Sequence, residues 1–472
     1  MAPNTFERRE YSMEQSKSNS SIVFSGCIIL VLVIQLFNSG ISNLMPSILT
    51  RLNAMNYYAI QAALSGLTMT ILTPIGGRLG DIIGRRNIIL VSAVVVLAGC
   101  VCMVPMASFP LFLFGRMLAS AGLGAFISIP FAICAEIFPR DQYAKKVGLL
   151  QAALAIGIVL GATIAGYLNE LGLLTIVFVY PGILCVFGAL MIFTQMPNKK
   201  NEKRAPVDIP GLVLISVFVA AISLSFSFGG RLGFLNPVIL CGFGIAIISF
   251  ITLFRVESKK EVPFIPFNLF RNLKFAGICF FTGFIANYMG VMGLYIPLTG
   301  QSVMGLSSTV TGLFTLPRSI LCVILPSVFA IWVTKNESHL RHAHMLSSGI
   351  VVLAFIGVST ISGNSPVYLP FVFLALTGIS EAFRAISSNP MLVSILEPKD
   401  IGIGIALNST VGSLLSTIGS SVLSSVYTPI ASNNIPRALQ LMYIITACLA
   451  FIAFLIATIM LRDKKVAGFT EA

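Results

Sequence analysis

The dominant feature of the sequence is a succession of apolar runs, each long enough to cross a lipid bilayer. A helix of about 20 apolar residues spans the hydrocarbon layer and satisfies its own backbone hydrogen bonds. The connecting segments are short, which predicts an all-α integral membrane protein with about 14 transmembrane helices. The predicted spans, numbered 1 to 14, are 21–47, 57–77, 87–107, 110–135, 147–168, 173–194, 210–229, 236–254, 274–297, 308–333, 345–362, 367–396, 403–427 and 438–461.

The composition agrees with lipid as the main solvent of the chain. Of the 472 residues, 56% are hydrophobic and only 10% are charged, against about 25% charged in soluble proteins. The net charge of +13 could indicate nucleic-acid binding, but no basic stripe with interleaved aromatic residues is present. No phosphate-binding run of the type G-x-x-x-x-G-K-[ST] occurs either. We therefore expect no nucleic-acid partner, no cofactor and no transport driven by ATP.

The positive charges of the connecting segments fall almost entirely on one side of the predicted bundle. With a cytoplasmic N-terminus, the tails and even-numbered loops hold 24 of the 30 Lys and Arg residues. The other side has only Arg51, Arg231 and Arg437. Because Lys and Arg are retained on the cytoplasmic side of membranes, this bias predicts that both termini are cytoplasmic. The expected location is the cell membrane, inner or plasma.

Two distant stretches of the chain resemble each other. Helix 4 contains Ile129-Pro130 and is followed by Pro139-Arg140-Asp141, while helix 12 contains Asn389-Pro390 and is followed by Pro398-Lys399-Asp400. Eight helices separate the copies, so helices 1–6 would correspond to helices 9–14, with 7 and 8 as an inserted pair. Transporters with two related halves bind substrate between them. The predicted parts are a cytoplasmic tail at 1–20, a six-helix bundle at 21–194, a linker with two helices at 195–273, a second six-helix bundle at 274–461 and a cytoplasmic tail at 462–472.

The loop between helices 2 and 3 carries the sharpest motif of the sequence, Gly77-Arg78-Leu79-Gly80-Asp81-Ile82-Ile83-Gly84-Arg85-Arg86. Glycines permit a tight turn, and Asp81 is placed to cap a helix or to pair with a cation. The run resembles the loop signature of the major facilitator superfamily, G-x-L-[AG]-D-x-x-G-[RK]-[RK], although the basic residue usually found after the Asp is replaced by Ile82. The resemblance implies a gating loop that consists of Gly77, Asp81, Gly84, Arg85 and Arg86.

Further resemblances to this family come with departures. Arg116, Gly122 and Gly124 in helix 4 resemble the second motif of the family, although Ala119 and Ser120 replace its Gln and first Gly. The fourteen-helix layout resembles the drug:proton antiporter branch across essentially the whole chain.

Helices 1 and 5 differ from that branch. Helix 5 has Gly157, Gly161 and Gly166, but Ala162 replaces the usual Pro after the second glycine, so a packing role is retained and the kink tied to export is in doubt. Helix 1 has Asn38 where drug exporters carry an Asp, and asparagine does not carry a proton.

Four ionisable residues lie well inside the predicted helices: Glu381 and the arginines at 116, 318 and 384. A charge at membrane depth costs about 2.5–3.5 kcal/mol on insertion scales, so such residues usually face a cavity and carry function. Glu381 and Arg384 could also neutralise each other as an i, i+3 pair. Even then the other two arginines leave an excess of positive charge, which favours an anionic ligand.

These residues define the predicted site. Glu381 is assigned to proton coupling, because burial favours the protonated carboxyl group and a nearby arginine favours the ionised one. The substrate would be bound by polar and basic side chains, namely Gln35, Asn38, Arg116, Asn287, Tyr288, Arg318 and Arg384. His339, His342 and His344 are expected in a solvated loop between helices 10 and 11, with no metal site.

The sequence therefore predicts a monomeric, proton-coupled secondary transporter, not an enzyme, which moves an amphipathic organic molecule by alternating access. The excess positive charge favours an organic anion. Family resemblance favours multidrug efflux by drug:proton antiport instead, and the altered helices 1 and 5 leave open the uptake of an organic acid or bile-acid-like compound. A non-transporting membrane sensor or scaffold is the alternative from another class.

Overall fold

The computed structural model describes residues 5–196, 209–260, 266–333, 337–397 and 400–461. In these ranges the chain is helical, has no strand, and contains 14 helices long and apolar enough to cross a membrane, which confirms the predicted fold class. We label the membrane-crossing helices α1 to α14 in chain order. The first seven are α1 (Thr5–Arg51), α2 (Tyr58–Ile83), α3 (Arg85–Met103), α4 (Phe109–Phe126 with Ile129–Ile137), α5 (Arg140–Glu170), α6 (Leu174–Gln195) and α7 (Ile209–Leu232). The other seven are α8 (Pro237–Glu257), α9 (Leu273–Leu298), α10 (Ser308–Leu313 with Leu316–Val333), α11 (Glu337–Ser359), α12 (Tyr368–Ile395), α13 (Ile401–Ala431) and α14 (Ile435–Ile459).

Proline and glycine explain the main interruptions of these helices. The second segments of α4 and α10 each have a proline as their second residue, Pro130 and Pro317. Proline has no backbone N–H to donate, so it is tolerated in a first helical turn and breaks a continuous helix. Gly84 joins α2 to α3 with a φ of 103°, a conformation that other residues rarely adopt. The sharp turn of the loop motif therefore requires this glycine.

The packing of the helices repeats with an offset of eight. In the first half, α1 packs on α5 and α6, and α3 packs on α4 and α6; in the second half, α9 packs on α13 and α14, and α11 packs on α12 and α14. The α2–α4 contact corresponds in the same way to the α10–α12 contact. The inserted helices α7 and α8 pack together, and α7 contacts both α2 and α13. The two halves meet through α2 with α13, α5 with α10, and α1 with α9.

The two ends of the bundle differ in charge, and we name them accordingly. The basic face contains the turn at Gly84 and the start of α5, with Lys145 and Lys146 near by. The opposite face contains Arg51 and Arg231 at the ends of α1 and α7. The bundle and tail boundaries predicted from the sequence stay predictions. Residues 1–4, 197–208 and 462–472 lie outside the described residues.

The predicted position of the histidines is wrong. His339, His342 and His344 lie in α11, which begins at Glu337 and not near residue 345. His344 is fully buried, its Nδ1 is 2.8 Å from the carbonyl oxygen of Leu340, and its ring packs edge-on against Phe281. Hydropathy missed this first turn because imidazole counts as polar, although its nitrogen can bond to the carbonyl of its own helix.

Candidate functional site: a charged cluster and a cavity at the basic face

Glu381, in the middle of α12, is held by side chains from its own helix and from α9. Tyr288 Oη donates to Glu381 Oε2 at 2.8 Å, and Arg384 Nε donates to the same oxygen at 3.0 Å. Arg384 Nη2 also donates to Glu381 Oε1, so the guanidinium group engages both carboxylate oxygens. The i, i+3 pair is therefore formed. Arg384 retains 28% of its side-chain exposure, so the pair borders open space.

Arg318 of α10 brings a third charge to the same place. Its side chain is only 2% exposed, and it interacts electrostatically with Tyr288 and Glu381. Its Nη2 donates to the sulfur of Met289 at 3.3 Å, a weak acceptor, and its Nε has no hydrogen-bond partner. Because Arg384 already neutralises Glu381, the group carries one excess positive charge. We call Tyr288, Arg318, Glu381 and Arg384 the charged cluster.

Arg116 lies apart from the charged cluster, in the other half of the protein. It is 6% exposed, and its Nη1 lies 3.7 Å from the sulfur of Met45 on α1. The phenol of Tyr58 is close enough to interact with it electrostatically. The structure therefore does not bring the three arginines into one site. Another carboxylate, Glu257 at the end of α8, is also buried, but Lys260 pairs with it at 2.5 Å.

Three predicted polar site residues are also outside the charged cluster. Asn287 is 4% exposed, donates to its own helix at Gly283 O, and packs against Gly419 of α13. Gln35 of α1 lies against Gly157 of α5. Asn38 is half-buried on α1. Only Tyr288 of the predicted uncharged residues joins the charges.

The residues of the predicted gating loop lie in two places: some border a cavity, and Arg86 packs against the end of α6. Gly77 lines a cavity together with Arg78 and Arg85. Arg85 Nη1 pairs with Glu136 at the end of α4 at 2.8 Å, and Arg86 lies over the ring of Phe193 and donates to Met196 O. The side chain of Asp81 lies outside the described residues.

The three glycines predicted as a packing motif make close backbone contacts. A Cβ atom at Gly157 would lie 2.7 Å from Leu32 O, and one at Gly161 would lie 2.5 Å from Leu36 O, both on α1. At Gly166 it would lie 2.6 Å from Ser308 O of α10. The first two glycines therefore pack within the first half, and the third packs against the second half.

Hydrogen bonds between the halves, near the opposite face, were missed by the sequence analysis. Asn43 Nδ2 donates to Ser308 O of the second half and also to Ala162 O of its own half, both at 2.8 Å, and Gln301 Nε2 donates to Asn43 O at 2.6 Å. Asn169 Nδ2 donates to Ser308 Oγ at 3.3 Å. We call Asn43, Asn169, Gln301 and Ser308 the latch. The signal in the sequence is the amide of Asn43, which lies in the same predicted span as Gln35 and Asn38.

A cavity of about 700 Å³ at the basic face was also missed; we call it the α7 cavity. Its walls come from α2, the break in α4, α7 and α13. Ser409, Ser413, Ser416 and Thr417 contribute hydroxyl groups from one face of α13. Hydroxyls three and four residues apart are visible in the sequence and could have indicated a polar helix face. Among the described residues, no group of three His, Cys, Asp or Glu side chains could hold a metal ion.

Known proteins resemble this chain over most of its length. A family model described as Major Facilitator Superfamily matches residues 27–374. Multidrug resistance protein 3 of Bacillus subtilis (strain 168) is 25% identical over 431 residues, which cover 89% of this chain and 82% of that protein. Multidrug transporter protein MdtP of the same organism is 24% identical over 424 residues, which cover 88% of this chain and 76% of that protein.

Solved structures share the fold. The crystal structure of the POT family transporter PepTSo matches with a TM-score of 0.67 at 14% identity, covering 93% of this chain and 97% of that one. The peptide transporter POT in complex with sulfate matches with a TM-score of 0.69 at 12% identity, covering 93% and 94%. At such identities the likeness concerns the fold alone.

Proposed function

Because the chain belongs to the major facilitator superfamily, we propose that it moves an amphipathic organic anion, coupled to protons, by alternating access. The family and the relatives make the chain a transporter of small molecules across a membrane and not an enzyme. The choice of an anion, the proton coupling and the alternating access are our proposal.

The observation that carries the proposal is the excess positive charge that buried Arg318 brings to the charged cluster. A buried excess charge without a complete set of hydrogen bonds is costly in a low-dielectric interior. Arg318 interacts with Tyr288 and Glu381, but its Nε has no hydrogen-bond partner, its Nη2 has a thioether, and Glu381 is already paired with Arg384. A carboxylate or sulfonate would accept from Arg318 and remove the excess charge. A lipophilic cation would meet repulsion at the same place.

The bonds of Glu381 suggest how protons are coupled. Both Tyr288 and Arg384 donate to the carboxylate, which stabilises its ionised form. An anion bound between Arg318 and Arg384 would draw the second guanidinium group away from Glu381. The carboxylate would then bind a proton more readily, so the anion and the proton would load together.

Multidrug efflux by drug:proton antiport is the second candidate. It is supported by the names of the two Bacillus relatives, at 25% and 24% identity over most of the chain. In that case the carboxylate of Glu381 would bind a cationic drug, and the ion pair between Arg384 and Glu381 would have to break.

Arg318→Met tests the choice between these functions, because methionine keeps the length of the side chain and removes its charge. In proteoliposomes the unmodified protein should take up taurocholate, and Arg318→Met should lower that uptake at least tenfold. Arg437→Gln, an exposed residue of the opposite face, should leave the uptake unchanged. Thermal stability should not fall in Arg318→Met, since the excess buried charge of the charged cluster is removed. Binding of tetraphenylphosphonium by both proteins, without taurocholate uptake, would reject the anion in favour of multidrug efflux.

Glu381→Gln tests the proton coupling separately. Accumulation of taurocholate driven by an imposed pH gradient should be lost, because glutamine cannot take up a proton. Exchange of labelled for unlabelled taurocholate at equal pH should continue. Accumulation at the unmodified rate would place coupling elsewhere, with Glu136 as the next candidate.

We further propose that the basic face is cytoplasmic, because 24 of the 30 Lys and Arg residues fall in the tails and loops that the sequence predicts on this side. An impermeant maleimide applied to cells should label a single cysteine at position 231 and not one at position 145. The reverse pattern would invert the orientation.

A further inference from the structure

The α7 cavity has a defined floor and a defined mouth. At the floor, the hydroxyls of Thr70 on α2 and Thr417 on α13 are 2.9 Å apart and hydrogen-bonded across the two halves. At the mouth lie Arg78 and Arg85. Thr70 and Arg78 are eight residues apart on one helix, which makes the cavity about 12 Å deep along α2. None of its lining residues belongs to the charged cluster.

The wall of the cavity is amphipathic. Apolar side chains of α4 and α7 line one part of it, namely Ile127, Ile129, Ile215 and Val219. Hydroxyl groups of α13 and α2, including Ser413, Ser416 and Thr73, line another part. Among the described lining residues the charged ones are arginines, and no carboxylate lines the cavity. Such a surface fits a molecule with an apolar body and an anionic group.

The arginines of the mouth are not equivalent. Arg85 is engaged by Glu136 at 2.8 Å, which leaves Arg78 as the better partner for an incoming anion. Arg78 is half-buried, so its charge is partly desolvated and less screened than that of an exposed lysine. The volume of about 700 Å³ lies within the range of pockets that hold drug-sized ligands.

We propose that the α7 cavity is a second ligand site, which binds a single-chain amphipathic anion with its apolar body between α4 and α7 and its anionic group at Arg78. The inserted helix α7 is a wall of this site and not a mere linker. The ligand class follows the proposed function, but the site itself does not depend on Arg318. A transported organic acid and a fatty acid from the bilayer share this chemistry.

Binding of the fluorescent anion 11-(dansylamino)undecanoic acid tests the site in the full chain, reconstituted in nanodiscs of zwitterionic lipid. The signal of empty nanodiscs is subtracted. Ser216→Phe places a ring in the cavity and should lower the affinity at least tenfold. Its matched control is Val217→Phe on the lipid side of the same helix, which should stay within twofold. Unchanged affinity in Ser216→Phe would overturn the proposal.

A charge arm tests the role of Arg78. Arg78→Gln should weaken binding of the dansyl acid at least tenfold and should leave binding of its uncharged amide unchanged. Lys145→Gln, an exposed residue of the same face, is the matched control and should have no effect. Equal loss for the acid and the amide would contradict the assignment of the anionic group.

Two further arms identify the source of the ligand and separate the site from the charged cluster. Displacement of the dansyl acid by oleate indicates a bilayer ligand, and displacement by taurocholate indicates a transported solute; displacement by neither rejects the site. Arg318→Met should abolish taurocholate transport under the proposed function but leave dansyl binding intact. If Arg318→Met removes dansyl binding while Ser216→Phe does not, the probe occupies the charged cluster and the second site is wrong.

Discussion

The two faces of the protein are joined in different ways. At the opposite face, the halves approach through backbone, because Gly166 of α5 lies directly against Ser308 of α10 and Asn43 donates to carbonyl groups of both helices. Towards the basic face, α2 and α13 are joined by the Thr70–Thr417 bond and then border the α7 cavity. One face is closed by directional bonds, and the other contains open space.

Buried tyrosines add further contacts between the two halves at the closed face. Tyr58 Oη of α2 donates to Leu294 O of α9 at 2.5 Å, and the ring centroid of Tyr58 lies 6.1 Å from that of Tyr427 on α13 and 6.4 Å from that of Tyr295 on α9. These groups are buried at the meeting point of both halves. Opening the closed face would therefore break bonds to backbone carbonyls and also separate packed rings. Closing the basic face would mainly require filling or collapsing a cavity, so the two transitions should respond to different mutations.

The largest effect is expected from Gly166→Val. A Cβ atom there would lie 2.6 Å from Ser308 O and 2.7 Å from Ser308 C, and backbone atoms cannot turn away as a flexible side chain can. The closed arrangement of the opposite face should be nearly lost. A cysteine at Ser47, which is half-buried beside Gln301, should react at least tenfold faster with a maleimide in otherwise cysteine-free protein.

Gly148→Val is the control for that prediction. Gly148 lies on the same helix, and a Cβ atom there would meet nothing within 4 Å. Its reaction rate should match that of the unmodified protein. An equal rate in Gly166→Val would mean that this contact does not hold the face closed.

A smaller effect is expected from Asn43→Ala, which removes one hydrogen bond between the halves, to Ser308 O, and one within the first half, to Ala162 O. The bond between the halves contributes about 1 kcal/mol net, so the closed arrangement should weaken by roughly fivefold to tenfold. The maleimide reaction at Ser47→Cys measures this change. Asn87→Ala, which removes a hydrogen bond within the exposed loop of the basic face, should leave the rate unaltered.

The smallest effect is expected at the floor of the α7 cavity. Thr70→Val and Thr417→Val keep the shape of each side chain and remove the half-buried hydrogen bond between the two hydroxyls, so each should change the exchange rate of bound substrate only about threefold to fivefold. The double variant should be no worse than either single one, since both remove the same bond. Fully additive effects would show that the two hydroxyls act independently.

The sequence predicted the fold and offered the Glu381–Arg384 pair as an alternative, because both depend on spacing along one helix. Apolar length predicts spans, and residues three apart share a helix face. Spacing along one helix does not predict which helices contact each other. Asn287 and Tyr288 are neighbours in the sequence, yet successive residues point about 100° apart on a helix, so only one of them reaches Glu381.

The surroundings of Arg318 and the hydrogen bonds of the latch could not be predicted either, because they too depend on which helices meet. Arg318 ends beside Met289 of α9 because of how α10 packs on the second half, which no pattern within α10 reveals. Asn43 is one of three amides in its apolar run, and its acceptors are carbonyl groups of α5 and α10. Bonds to backbone leave no trace in the identity of the partner residue.

Helix α7 determines which face of α13 is exposed to the lipid bilayer. Ser421 and Ser425 of α13 are buried, and a Cβ atom at Gly230 of α7 would lie 2.7 Å from Ser425 Cα. Ser223 and Ser227 of α7 are equally buried. The hydroxyls of Ser421 and Ser425 bond to carbonyl groups of their own helix, so what α7 supplies is close packing, and it takes the place of annular lipid along this face of α13. A twelve-helix chain made by deleting residues 209–257 would therefore expose a serine-lined face of α13 to lipid.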